Sequence, residues 1–172
     1  MKSYLLLITC ILCSALAQAQ GYEFNTDAKA KEEVSKIAWL TGEWEGSGWR
    51  MGMDRQKHTF RQHEMVQFKL DSTAILIEGK GHKDGEVIHD ALAMMTYDDE
   101  NDRYDFRTRL ADGKGGNFYA ELKGDTLYWY PGDTMRYIIY LDEQGRWYET
   151  GEVNHSGQWY QILEMTLVRK ED

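Results

Sequence analysis

The chain has 172 residues, a formal net charge of −9 and two cysteines. The acidic residues are spread along the chain, whereas a phosphate-binding surface needs clustered basic residues, so the composition argues against a nucleic-acid partner. A chain of this length can bury enough surface for one self-supporting domain, which we predict for residues 20–172.

Residues 1–19 have the pattern of a secretory signal peptide. Lys2 gives a positive start, residues 5–13 are apolar, and residues 17–19 read Ala-Gln-Ala, the small-x-small pattern of a cleavage site. The apolar run is too short to span a bilayer as a stable helix, and no later run is long enough. We therefore predict cleavage near Ala19 and a secreted or periplasmic protein without a membrane span.

Both cysteines lie inside the predicted signal peptide, at Cys10 and Cys13. A lipoprotein anchor is the alternative, because a cysteine near the end of such a segment can be acylated. Thr9 and Leu12, however, stand where a small residue should precede that cysteine. The cleaved chain would have no disulfide and no cysteine ligand for a metal, so its core must hold the fold.

Residues 25–40 are predicted to form one amphipathic helix. Polar residues at positions 25–27 can cap its start, and Gly42 can end it. Four apolar positions fall on one helical face, namely Ala30, Val34, Ile37 and Ala38.

Beyond residue 41 the dominant apolar spacing is two, and turn signals cut the chain into ten strand-length pieces. Each turn signal contains glycine, aspartate or asparagine, and they lie at residues 54–55, 71–72, 83–85, 98–102, 111–115, 123–125, 131–133, 142–145 and 154–157. Short strands with hairpin-length links predict an all-β, up-and-down antiparallel barrel of about ten strands. A β-sandwich is the alternative, but a lone leading helix favours a barrel, because it can cover one barrel end.

Residues 39–49 read Trp-Leu-Thr-Gly-Glu-Trp-Glu-Gly-Ser-Gly-Trp. This stretch resembles the Gly-x-Trp signature that opens lipocalins, fatty-acid-binding proteins and nitrobindin-type barrels. Later segments resemble a bacterial secreted family of uncharacterised lipocalin-like (calycin-type) proteins, at residues 77–81, 89–92, 104–107, 147–152 and 164–169. The resemblance covers most of the chain after residue 20 and implies a lipocalin-like barrel.

The glycines of the opening motif allow a first strand to bend and to approach its neighbours closely. Trp44 is large enough to close the barrel floor. We therefore predict a mainly structural role for Trp44 and include it among the residues that could touch a ligand.

Strand alternation predicts which side chains point into the barrel. On the second strand, Gln62 and Glu64 share a face with apolar residues, and similar counting puts Trp147 with Glu149. It also puts His89 with two alanines, whose small side chains would leave room. A partly polar pocket follows as a hypothesis.

Glu64 and Glu149 could bind a hydrogen-bond donor or a cation, or act as acid and base if burial raised one pKa. The alternative is structural pairing with Arg107 or with backbone donors. Alternation puts Arg107 outside the barrel unless a bulge changes the phase, and Glu164 has the same ambiguity. The pocket candidates are Trp44, Glu64, His89, Arg107, Glu149 and Trp159.

Other chemistry has little support in the sequence. The five histidines lack metal-ligand spacing, and there is no Gly-x-Ser-x-Gly nucleophile motif. Nitrobindin-like haem binding relies on a late proximal histidine, but residues 158–169 contain none and His155 lies in the preceding turn. No metal site is predicted, and the cofactor is left open.

The leading functional hypothesis is a secreted barrel that holds a small, partly apolar ligand in its interior. An enzyme that uses a buried carboxylate is the first alternative, and a haem or nitric-oxide carrier is the second. A barrel filled with side chains that works through its outer surface, with a homodimer left open, is the third. An interior void would favour the first hypothesis over the last.

Overall fold

The computed structural model describes residues 24–171. The predicted signal peptide, its cleavage site at Ala19 and both cysteines lie outside these residues. Within the described part of the chain, no helix is long and apolar enough to cross a bilayer.

The N-terminal helix is shorter than the predicted span of residues 25–40. Helix α1 covers Ala28–Ser35, and a separate 3-10 turn covers Ala38–Leu40. Asp27 caps the start of α1, where its carboxylate accepts a hydrogen bond from the backbone N–H of Ala30 at 3.0 Å. The cap is one of the three polar residues that the sequence indicated.

The helix breaks at Ile37, whose backbone leaves the α conformation with φ of −105° and ψ of 15°. The break accompanies the complete burial of Val34, Ile37 and Leu40. In one continuous straight helix, all three side chains would have had to reach the core from the same helix axis. Burial of apolar side chains thus outweighs local helix propensity here.

The ten predicted strands are present and form a closed barrel. They are β1 (Gly42–Met51), β2 (Lys57–Lys69), β3 (Ala74–Lys83), β4 (Glu86–Asp98), β5 (Arg103–Leu110), β6 (Gly115–Lys123), β7 (Thr126–Gly132), β8 (Met135–Leu141), β9 (Trp147–His155) and β10 (Gln158–Arg169). Each strand pairs antiparallel with the next, and β1 pairs with β10 to close the sheet. All nine predicted breaks coincide with connections between strands. The barrel prediction is confirmed, and the sandwich alternative is wrong.

Two of the two-residue connections follow directly from sequence. Asp84-Gly85 and Ser156-Gly157 each join two strands with two residues at positive φ, at 53° and 87° in the first and 54° and 88° in the second. This conformation matches the right-handed twist of the flanking strands, and glycine at the second position adopts it without strain. The hairpins therefore set strand register locally.

One end of the barrel is sealed by α1 and the 3-10 turn. Val34, Ile37 and Leu40 join the core cluster of the barrel, and the Tyr104 hydroxyl donates a hydrogen bond to the Glu33 carbonyl oxygen at 2.8 Å. The α1 helix also contacts β3 and β4. Because strands alternate in direction, the C-terminal ends of β1, β3, β5, β7 and β9 lie together at the open end, opposite α1.

Trp44 forms the floor just above this seal. It has no exposed surface, and its indole N–H donates to the Leu40 carbonyl oxygen at 2.8 Å. Its ring meets Trp147 edge-on at 5.8 Å between ring centroids, and the Arg169 guanidinium lies 4.1 Å from its centroid. The predicted floor-closing position of Trp44 is where the side chain lies.

The β1–β10 seam leaves no room for a side chain at two positions of β1. A Cβ atom on Gly46 would lie 2.0 Å from the Thr166 carbonyl oxygen, and one on Gly48 would lie 2.3 Å from the Glu164 carbonyl oxygen. Backbone atoms cannot swing aside as a flexible side chain can. Glycine at these two positions is therefore a condition for closure.

We expect Gly46→Ala to lower the free energy of unfolding by about 3 kcal/mol or more, because the methyl group must force β1 away from β10. Gly132→Ala is the matched control, since a Cβ atom there meets nothing within 4 Å and its φ is not positive. The control should change stability by only about 0.5 kcal/mol. Urea unfolding of both variants measures the difference, and equal losses would contradict the seam argument.

Candidate functional site

The barrel contains a cavity of about 580 Å³ that opens at the end opposite α1. Its lining is mostly apolar, and the wall includes six aromatic side chains, namely Phe60, Phe106, Phe118, Trp129, Tyr137 and Trp147. A volume of this size is in the range of small-molecule sites. The void favours the ligand-holding hypothesis over a barrel filled with side chains.

A stack of aromatic rings forms one side of the cavity. Trp129 and Tyr137 lie parallel within 7°, with ring centroids 4.3 Å apart, and Phe106 lies 4.8 Å from Trp129. Gly151 makes room for this stack, because a Cβ atom there would lie 2.8 Å from the Tyr137 ring. The stack gives the cavity a rigid, flat apolar wall.

Glu64 is a buried acidic side chain in the mostly apolar cavity. Its side chain is 7% exposed, and the Gln62 amide donates to its Oε1 at 2.7 Å. Its Oε2 is buried and has no hydrogen-bond partner among the described residues. Gly79 leaves space for the carboxylate, since a Cβ atom there would lie 2.7 Å from Oε2. A buried acceptor without a donor is costly, so it needs a reason.

Glu149 is the second buried carboxyl group in the cavity, also 7% exposed. The Trp147 indole N–H donates to its Oε2 at 3.1 Å. Burial raises the pKa of Glu64 to about 7. Burial, and secondarily the charge of Glu64, raise the pKa of Glu149 to about 8. Near neutral pH the two groups therefore hold at least one proton between them.

The mouth of the cavity has the opposite charge character. Arg50, His89 and Lys114 line it, and His89 is exposed there. Loss of solvation by the surrounding wall lowers the pKa of His89, and the charge of Arg50 lowers it further, while Asp90 opposes the change. The imidazole is thus neutral near pH 7. The cavity is acidic inside and basic at its rim.

Three β-bulges lie at this open end and shape the mouth. The register shifts fall in β4 opposite Gly81 and His82, in β7 between Trp129 and Gly132, and in β10 between Gln161 and Leu163. Each adds one residue to its strand, and the added apolar side chains that line the cavity are Ile88, Pro131 and Ile162. Bulges at barrel rims commonly redirect side chains in this way.

The structure brings three of the six predicted site residues into one cavity, namely Glu64, His89 and Glu149. The inward positions predicted for Gln62, Trp147, Ala91 and Ala93 are also observed. Trp44 lies below the cavity and reaches it only through its contact with Trp147.

The Arg107 side chain lies on the outer wall of the barrel. The structure therefore does not place it in the cavity, where we had counted it among the pocket candidates. Phe106 and Thr108 line the cavity, and no bulge interrupts β5 to change the phase. The Arg107 guanidinium instead donates to the Asp105 carboxylate at 2.8 Å. It does not pair with Glu64 or Glu149.

Trp159 is also on the outer wall rather than in the cavity. Counting in twos from Leu163 places Trp159 inside, but the bulge at Ile162 reverses the phase of the strand before it. The ring lies under the Arg136 guanidinium, 4.1 Å from ring centroid to guanidinium carbon. Glu164 faces outward too, where its carboxylate accepts from Gln161 at 2.8 Å.

Sequence reasoning missed several lining residues. Trp129 and Tyr137 form the aromatic stack, and Arg50 contributes the basic group on the inner face of β1. Alternation carried through β1 and β7 from buried Trp44 and Leu127 would have found Arg50 and Trp129. Among residues 24–171, His89 is the one histidine that lines the cavity, and His155 is exposed at the end of β9.

A cluster of possible metal ligands lies on the outer wall. Atoms of Glu43, Glu45 and His63 that could ligate an ion fall within 4.8 Å of one another. The Lys170 ammonium already lies 2.6 Å from Glu43, and His63 lies 2.9 Å from the same carboxylate oxygen. An ion-pair network accounts for this cluster.

Two solved structures share the fold. A crystal structure of Rv2717c from M. tuberculosis matches with a TM-score of 0.61 at 12% sequence identity, covering 85% of this chain and 100% of that chain. The S-type phycobiliprotein lyase CPES from Guillardia theta matches with a TM-score of 0.54 at 13% identity, covering 82% and 92%. No protein-family model and no curated protein matches the sequence. These likenesses show a shared fold, which in this chain is a closed, ten-stranded antiparallel barrel of lipocalin-like architecture.

The raised pKa values predict how stability depends on pH. Between the ordinary glutamate value of 4.5 and the folded value of about 7, the unfolded chain ionises Glu64 while the folded chain keeps it protonated. The folded state then binds more protons, so stability falls as pH rises through this window. Glu64→Gln should therefore stabilise the protein on the order of 3 kcal/mol at pH 8.5 and have little effect at pH 5.

Urea unfolding at both pH values measures this difference. Glu143→Gln is the matched control. Glu143 is exposed in the turn between β8 and β9, so this substitution removes the same charge at a position away from the cavity. A Glu64→Gln effect of equal size at pH 5 and pH 8.5 would contradict the burial argument.

Proposed function

We propose that this protein binds a small, largely apolar molecule inside the barrel. One observation carries the proposal: a cavity of about 580 Å³ with a flat aromatic wall holds a buried carboxylate oxygen that has no partner among the described residues. A ligand would cover the apolar wall and supply the missing donor. A closed antiparallel barrel is an architecture that can enclose one small ligand, which supports this proposal.

Secretion is part of the proposal and rests on residues 1–19 alone. We expect the exported protein to begin near Gln20 and to reside in the periplasm or outside the cell. N-terminal sequencing of the full chain after expression in a secreting bacterium tests this. A product that keeps residues 1–19, or an acylated cysteine, would contradict it.

Native mass spectrometry of the exported protein should show a mass above that of the chain, which denaturation removes. The same spectrum reports whether the protein is a homodimer. An absorbance scan of the same sample tests the haem alternative. A neutral probe such as Nile red should bind the emptied cavity, and its fluorescence should fall when the native molecule is added back.

A cavity-filling substitution locates the binding. Ala91→Phe puts a ring into the cavity, so we expect Nile red to bind about tenfold more weakly or not at all. Leu92→Phe is the matched control, because Leu92 is 44% exposed on the outer face of the same strand. Fluorescence titration measures both affinities. Equal loss in the two variants, or none in either, would place the binding elsewhere.

An acid–base enzyme is the second candidate, and a different observation favours it. Glu64 and Glu149 lie in one open cavity, and the pKa of each is raised into the neutral range, to about 7 and about 8. Such a pair can give and take a proton at physiological pH. If the protein is an enzyme, Glu64→Gln should stop conversion of the bound molecule, whereas a carrier should only change in affinity.

A further inference from the structure

The polar groups of the cavity are separated by charge along its length. The interior has the Glu64 and Glu149 carboxyl groups, whereas the rim has the side chains of Arg50 and Lys114. An aromatic wall lies between the two ends. A ligand that matches this arrangement must itself differ between its two ends.

The interior requires a donor from the ligand. Above its raised pKa of about 7, Glu64 is mostly ionised and can only accept hydrogen bonds, and its Oε2 has no donor among residues 24–171. The Gln62 amide and the Trp147 indole donate to different atoms, Glu64 Oε1 and Glu149 Oε2. A protonated nitrogen would supply both the hydrogen bond and a compensating charge, and the aromatic rings nearby attract a cation through their faces.

The rim requires an acceptor. Arg50 lies on the inner face of β1 at the mouth and forms no ion pair within the described part of the chain, whereas Lys114 is paired with Asp112 at 2.7 Å. The pKa of the neighbouring His89 is lowered, so the imidazole adds no positive charge near pH 7, and an anion at this point meets the Arg50 guanidinium. Guanidinium binds carboxylate in a two-pronged geometry that suits an acid group at the entrance.

We propose that the ligand is a flat, largely apolar molecule with a protonated nitrogen at its inner end, held by Glu64 and Glu149, and an acid group at its outer end, held by Arg50. This inference rests on the proposed function and names the chemical class that the cavity takes. The aromatic stack of Trp129 and Tyr137 contacts the apolar middle of the ligand.

Three naphthalene probes test both ends on one scaffold. They are 6-(aminomethyl)-2-naphthoic acid, which has both groups, 2-naphthylmethylamine, which has the nitrogen alone, and 2-naphthoic acid, which has the acid alone. At pH 7.5 we expect the two-ended probe to bind about tenfold more tightly than either single-ended probe, because each charge-assisted hydrogen bond adds affinity. Isothermal titration calorimetry on the exported protein, emptied of native ligand, measures the three affinities.

Two variants assign the ends. The double substitution Glu64→Gln and Glu149→Gln should remove the advantage of the two-ended probe over 2-naphthoic acid. Arg50→Met, which keeps an unbranched apolar stem but removes the guanidinium, should remove its advantage over 2-naphthylmethylamine. Glu143→Gln is the control for loss of one acidic charge and should leave all three affinities within about twofold, since the site is exposed.

The outcomes separate this inference from the proposed function. If Nile red binds the cavity but 2-naphthoic acid binds as tightly as the two-ended probe, the inference is overturned and the proposed function stands. The same holds if the double glutamine variant keeps the full preference. If no probe, including Nile red, binds the exported protein, both are overturned.

Discussion

Closure of the sheet between β1 and β10 is the constraint on which everything else depends. β1 and β10 are the first and last strands of the barrel, so their contact forms only when the whole meander has curled round. Gly46 and Gly48 permit that contact because any larger side chain would meet the backbone of β10. Without closure there would be two exposed sheet edges and no enclosed interior.

The barrel divides stability and chemistry between its two ends. At the sealed end, Val34 of α1, Ile37, Leu40 of the 3-10 turn and Trp44 are fully buried and belong to the core cluster. At the open end the strands have bulges, Arg50 and Lys114 line the rim, and the interior is an open cavity. Two buried carboxyl groups lie toward the middle, where they cost the folded state stability as pH rises. That cost is tolerable because the sealed end supplies the packing.

Much of the fold could be predicted from sequence, because its signals are local. Turn residues and the period-two spacing located all ten strands, and alternation placed Glu64 and Glu149 inside. The prediction failed where a β-bulge adds one residue to a strand and reverses which side chains point inward, as for Trp159, which precedes the bulge at Ile162. It also failed at Ile37, where packing at the barrel end overrides the helical pattern. Arg50 and Tyr137 were within reach of alternation, but their meeting in one cavity depends on the curvature of the entire sheet.

The seal formed by α1 makes the cavity a dead end. Anything bound there has one route in and out, past the rim. The dissociation rate of a bound molecule is therefore set by what must move at the mouth, whereas its inner contacts contribute most of its binding free energy. If the cavity holds a ligand as proposed, side chains around Ile88, Pro131 and Ile162 can change its residence time without touching the buried carboxyl groups. Under the proposed function, release is thus governed at the mouth, whereas selectivity draws on groups at both ends of the cavity.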